Sequence, residues 1–164
     1  MKLWMLVAVG LTMFLGALVR AGDNPIPEEF RKALDKAQAV ELYSLDPSAP
    51  PDKGDPEFHG WKVLGKTDVK KAAQAKLVAA FQKGVAEANP KVSAGCFRPR
   101  HGIRVQLDGK PYDFVICFEC VAVLIYGGKA EKNAGFHVTR SPADLFNKTL
   151  TEAKVKLPKQ PDDD

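Results

Sequence analysis

A chain of 164 residues with a net charge of +4 is long enough for one domain with its own core and short for two. Its charge is too mild and too evenly spread to argue for nucleic acid or an anionic membrane as partner. Three cysteines permit one disulfide with a thiol left over.

The chain opens MKLWMLVAVGLTMFLGALVRA, with one basic residue, an apolar stretch from Leu3 to Val19 and the small-residue pattern Val19-Arg20-Ala21. This is the pattern of an export signal cut after Ala21. Removing those 21 residues from 164 leaves 143, and the loss of Lys2 and Arg20 takes the charge from +4 to +2. An uncleaved anchor is the alternative, and it would be the chain's only link to a membrane. The product is expected to be extracytoplasmic, periplasmic or secreted, where a disulfide is chemically allowed.

One domain is expected over residues 22–157. PEEFRKALDKA, from Pro27, has acids in its first turn and Phe30, Ala33, Leu34 and Ala37 at helical spacing. AVELYSL (39–45) alternates as a strand. Residues 46–58 carry Pro47, Pro50, Pro51 and Pro56 and are expected to form an exposed loop. Trp61 to Leu64 reads as a short strand, after which Thr67 is expected to cap a helix running to Asn89-Pro90. The apolar stripe of that helix is Val69, Ala73, Leu77, Phe81, Gly84 and Val85, with Gln74 opposite. Gly102 to Leu107, Asp108-Gly109 and Tyr112 to Tyr126 form the clearest hairpin signal. Phe136 to Thr139 adds a strand, Ser141-Pro142-Ala143-Asp144 opens a helix, and 158–164 is expected to be a disordered acidic tail. The expected class is α+β, with an antiparallel sheet of four to six strands covered on one face by helices in two layers.

Gly60-Trp-Lys-Val-Leu-Gly65-Lys66-Thr67 formally satisfies the phosphate-binding pattern G-x-x-x-x-G-K-[ST]. It follows a Pro-rich loop rather than a buried strand, and its intervening residues read as a strand. Nucleotide binding is therefore not expected.

In the hairpin, Ile103, Val105 and Leu107 share a face with Phe114, Ile116 and Phe118, which restricts the register to one parity. A two-residue Asp108-Gly109 loop sets Arg104 opposite Asp113 and Arg98 opposite Glu119; a four-residue loop sets Arg100 opposite Glu119 instead. Glu119, set in the apolar run VICFECV, is expected to be covered and paired with one of these arginines. Cys117 and Cys120, three residues apart on an extended strand, would have Cα atoms ~10 Å apart on opposite faces, beyond disulfide reach unless a sharp bulge at Phe118-Glu119 brings them together. The expected disulfide is Cys96–Cys120, with Cys96–Cys117 as second choice.

Two catalytic or metal readings compete with a staple. Cys96, His101, Cys117 and Cys120 are ligand types that zinc takes, so zinc is the alternative to a chain with no cofactor. Cys117 as a nucleophile would need a histidine from His59, His101 and His137, with Glu119 as an acid or base. Arg98, Arg100 and Arg104 cluster near the sheet rim and can receive an anionic ligand in bidentate fashion. The expected function is a binding or structural module rather than an enzyme.

The blocks FHGWKVLGKT (58–67), CFRPRHGIRV (96–105) and ICFECV (116–121), behind an export signal, resemble a family of small exported bacterial proteins. The resemblance spans roughly residues 40–155. It implies export and one compact domain, and it implies no activity and no site residues.

Overall fold

A computed structural model describes residues 25–92, 94–132 and 134–159. The segment expected to be an export signal and residues 160–164 of the expected tail lie outside these. The order of elements is α1 (Glu28–Asp35), β1 (Ala39–Asp46), β2 (Glu57–Phe58), β3 (Trp61–Asp68), α2 (Lys71–Ala86), β4 (His101–Leu107), β5 (Lys110–Cys117), β6 (Ala122–Gly127), β7 (Gly135–His137) and α3 (Ala143–Glu152). The described strands form one curled antiparallel sheet of seven, ordered β2-β3-β1-β4-β5-β6-β7. The class is α+β, but the strands outnumber the four to six expected. The end of the Pro-rich loop pairs as β2, and the apolar run from Tyr112 to Tyr126 splits into β5 and β6.

Two hairpins turn by the same device. Asp108 and Gly109 have φ +51° and +73°, and His59 and Gly60 have φ +53° and +82°. These left-handed pairs match the twist of the strands they join. The β4–β5 register sets Arg104 opposite Asp113, as a two-residue loop requires. The Gly60–Thr67 segment is therefore a hairpin turn followed by a strand. Thr67 lies inside β3 and caps no helix, since α2 begins three residues after that strand ends.

The helix-side face carries the main core. Phe81 of α2 meets Phe114, Phe136 and Phe146, and Phe30 of α1 meets Tyr112 and Phe114 edge-on. Phe30, Phe81, Phe114 and Phe146 are fully buried, each stabilising the fold by ~1.5–3 kcal/mol relative to exposure. Gln74, expected on the outer face of α2, is buried, and its Nε2 donates to the Val69 carbonyl at 3.0 Å. That bond satisfies a carbonyl left between β3 and α2.

Helices on one face were expected; a second core on the other was not. The curl encloses Tyr43, Leu45, Phe58 and Val115, flanked by Trp61, Val63, Phe97, Leu124 and Tyr126. Phe58 stacks on Tyr43 with ring centroids 4.2 Å apart, and it lies directly over Gly102. A Cβ at Gly102 would sit 2.7 Å from the Phe58 ring and 3.3 Å from the Tyr43 Cβ. Gly102→Ala is therefore expected to destabilise the protein by ~1–3 kcal/mol through overpacking, seen as a lower thermal midpoint.

Candidate functional site

The residues singled out in the sequence converge at the end of β5. The strand stops at Cys117, and the chain turns through Phe118, Glu119 and Cys120, with Val121 N–H donating to the Phe118 carbonyl at 3.3 Å. Val121 takes φ +52°, a conformation disfavoured for a β-branched residue. This turn brings the Cα atoms of Cys117 and Cys120 to 5.1 Å and joins their sulfurs at 2.07 Å. The expected Cys96–Cys120 pairing is corrected: Cys117 pairs with Cys120, and Cys96 is free and exposed. The extended-strand spacing that excluded the pair does not apply across a turn. A 15-residue strand would also exceed the usual 3–10 residues, and Glu119 in its middle was the available signal of a break.

Glu119 has one of its two expected partners but not the expected cover. It forms an ion pair with Arg100, Oε1 to Nε 3.4 Å and without hydrogen-bond geometry, and it is exposed at the turn. Arg100 itself is buried and donates through Nη1 to the Lys159 carbonyl at 2.7 Å. Pro158 is buried beside it, so the first two residues of the expected tail are docked rather than loose. Arg98 donates its backbone N–H to Cys120 Sγ at 3.3 Å, and Arg140, which the sequence reading did not single out, donates to the Glu119 carbonyl at 3.1 Å. Three arginines thus hold the CxxC turn.

His101 lies on the helix-side face, packed against Phe118 and Phe146. Its Nε2–H donates to Asn147 Oδ1 at 2.9 Å, and its Nδ1 has no hydrogen-bond partner. Burial, reinforced by Arg100 and only partly opposed by Asn147, lowers its pKa to about 4, so the ring is neutral at pH 7. Arg98, Arg100, His101, Cys117 and Glu119 line one small cavity of about 60 Å³ with Asn147 and Pro158. It opens beside a larger cleft of about 550 Å³ whose walls include Arg98, Arg100, Lys156 and Lys159, with Asp46 as its carboxylate.

The alternative zinc set is not assembled. Cys117 and Cys120 are in a disulfide, His101 Nε2 is engaged by Asn147, and among the described residues no group of three or more His, Cys, Asp or Glu is placed to hold a metal. The disulfide also removes Cys117 as a free nucleophile.

Arg104 belongs elsewhere. It points into the curl, where its Nε and Nη2 grip Asp113 at 2.9 and 2.7 Å. His59 Nε2 meets the same carboxylate at 2.7 Å, its ring stacked on Tyr126 with centroids 3.8 Å apart. The curl thus pins the tip of the β2–β3 hairpin against β5 and β6. Burial pushes the Asp113 carboxyl up, but the Arg104 and His59 bonds outweigh it and hold the group below the usual carboxylate range. Nearby, burial is likewise outweighed at Glu41 by bonds from Lys66 and Tyr43. These groups satisfy one another, which reads as a clamp rather than a ligand site.

Comparison of the chain with protein-family models, with curated proteins and with solved structures returns no match to any of them.

Proposed function

We propose that this chain is an exported binding module that takes a small anion, carboxylate or phosphate, in the cleft beside the CxxC turn. The observation that carries this is the lining: Arg98, Arg100 and Lys156 stand in the cleft with Asp46 as its one lining carboxylate, whose charge is already met by the Ser48 N–H and hydroxyl, while Glu119 lies outside the lining, beside Arg100 Nε. Arg100 is preorganised, being buried and fixed through its bond to the Lys159 carbonyl. Arg98 and Lys156 are exposed and line the cleft from different chain segments, so both can reach a ligand there. A charge-assisted hydrogen bond contributes ~1.5–3 kcal/mol, or roughly tenfold or more in affinity per group.

The test is calorimetric titration with inorganic phosphate and with citrate. Binding by wild type that weakens at least tenfold in Arg98→Ala and in Lys156→Ala is the expected result. Binding to neither anion, or binding that both variants retain unchanged, removes the proposal. Neither residue lies in the core, so both variants are expected to fold.

A further inference from the structure

We propose that Cys96, Cys117 and Cys120 form a thiol–disulfide relay, in which the surface thiol of Cys96 exchanges into the buried Cys117–Cys120 disulfide and delivers it to an external dithiol. This rests on the sulfur geometry and not on the anion cleft.

The two bonded sulfurs are both buried and differ in their surroundings. Cys117 and Cys120 are 1% and 3% exposed, so an external thiol meets neither directly. Cys120 Sγ nevertheless lies 3.3 Å from the backbone nitrogen of Arg98, and Cys96 precedes Arg98 by two residues. Two residues span at most ~7 Å between Cα atoms, which puts the Cys96 thiol within a short swing of Cys120. The residues that carry the Cys96 thiol, 94–97, lie in no helix or strand. Phe97, edge-on to Trp61 at 6.1 Å, tethers it near the sheet.

The leaving group is equally well defined. Cys117 Sγ accepts the Cys120 N–H at 3.0 Å and lines the small cavity with Arg98 and Arg100. An amide donor and guanidinium groups favour a thiolate and hence its departure. The Cys96 thiolate attacks Cys120 Sγ; the Cys117–Cys120 bond breaks, a Cys96–Cys120 bond forms, and Cys117 leaves with the electron pair and takes up the proton that Cys96 lost. No net oxidation occurs in this step. The new disulfide has its Cys96 sulfur at the surface. One thiolate of an external dithiol attacks it there, and the second thiol of that molecule then displaces Cys96. The dithiol is oxidised to its disulfide by two electrons, and Cys96 and Cys120 are left as thiols.

Two measurements test the relay. Native protein at neutral pH is quenched in acid to freeze exchange, denatured, and alkylated with N-ethylmaleimide under mildly acidic conditions. Label shared between the Cys96 and Cys117 peptides is expected; label confined to Cys96 overturns the exchange. Reduction of the disulfide by dithiothreitol is then timed in wild type and in Cys96→Ser. The serine variant is expected to be reduced at least tenfold more slowly, and equal rates overturn the route through Cys96. Cys96 is exposed, so the variant changes no packing.

Discussion

Asp113→Ala is expected to cost ~3 kcal/mol, at the low end for breaking a buried ion pair because the Arg104 left behind is partly exposed. Asp113 has 4% side-chain exposure and accepts hydrogen bonds from Arg104 and His59. Without the carboxylate, the Arg104 guanidinium under the Tyr43 and Phe58 rings loses both its hydrogen-bond acceptors and keeps only the more distant charge of Glu41 across the strand, and the tip of the β2–β3 hairpin loses its anchor. Urea denaturation reads the loss as a lower midpoint at an unchanged slope. The contrast is Glu119→Ala, whose exposed ion pair contributes about 1 kcal/mol or less. Similar losses in the two variants would refute the assignment of Asp113 as the buried anchor. The pH dependence has a defined sign. The folded-state pKa of Asp113 is depressed, so its contribution is fully present well above pH 4 and is lost as pH falls through the folded value.

Stability is expected to fall by roughly 3 kcal/mol between pH 6.5 and pH 4 on account of His101. Its pKa drops from 6.5 to about 4 on folding. As pH falls through that window the unfolded chain binds a proton that the native ring refuses, and each such difference favours unfolding. The groups facing the ring are Arg100, Asn147, Phe118 and Phe146, and none supplies a counter-charge. Denaturation curves at pH 7 and pH 5 check this. Wild type loses stability over that interval, and His101→Gln, which keeps a donor for Asn147 and does not titrate, loses much less. Equal losses would assign the acid limb to other groups. The His101 window lies above the Asp113 window, so the two effects separate on one pH series.

Where a local rule was sufficient, the sequence could be read directly. Asp108-Gly109 admits the left-handed pair that a two-residue hairpin needs, and with the apolar alternation it left two registers, of which the structure adopts the one that pairs Arg104 with Asp113. The alternation of Ile103, Val105 and Leu107 put His101 on the helix-side face, where it packs. Arg98, Arg100, His101, Cys117 and Glu119 were named from local pattern, and they do line one cavity.

The disulfide was misread because chain spacing gives a distance only if the backbone path is known. Cys117 and Cys120 are ~10 Å apart on a strand and 5.1 Å apart across a turn. Which of these holds depends on Val121 adopting φ +52°, which no propensity favours and which the turn into β6 requires. The second core was invisible for a related reason. Nothing local indicates that His59, in a turn at one edge of the sheet, reaches Asp113 and Tyr126 several strands away.

By itself, the sequence determined the class, the helix-side face and the parity of the β4–β5 register, because side-chain period and turn residues act over a few positions and hold in any surroundings. Only the tertiary structure decided the sulfur pairing, the burial of Asp113 over Glu119 and the gathering of Arg98, Arg100, Lys156 and Lys159 around one cleft. Each of these depends on how far the sheet curls and where the chain after α3 comes to rest, and both are set by packing between segments far apart in the chain.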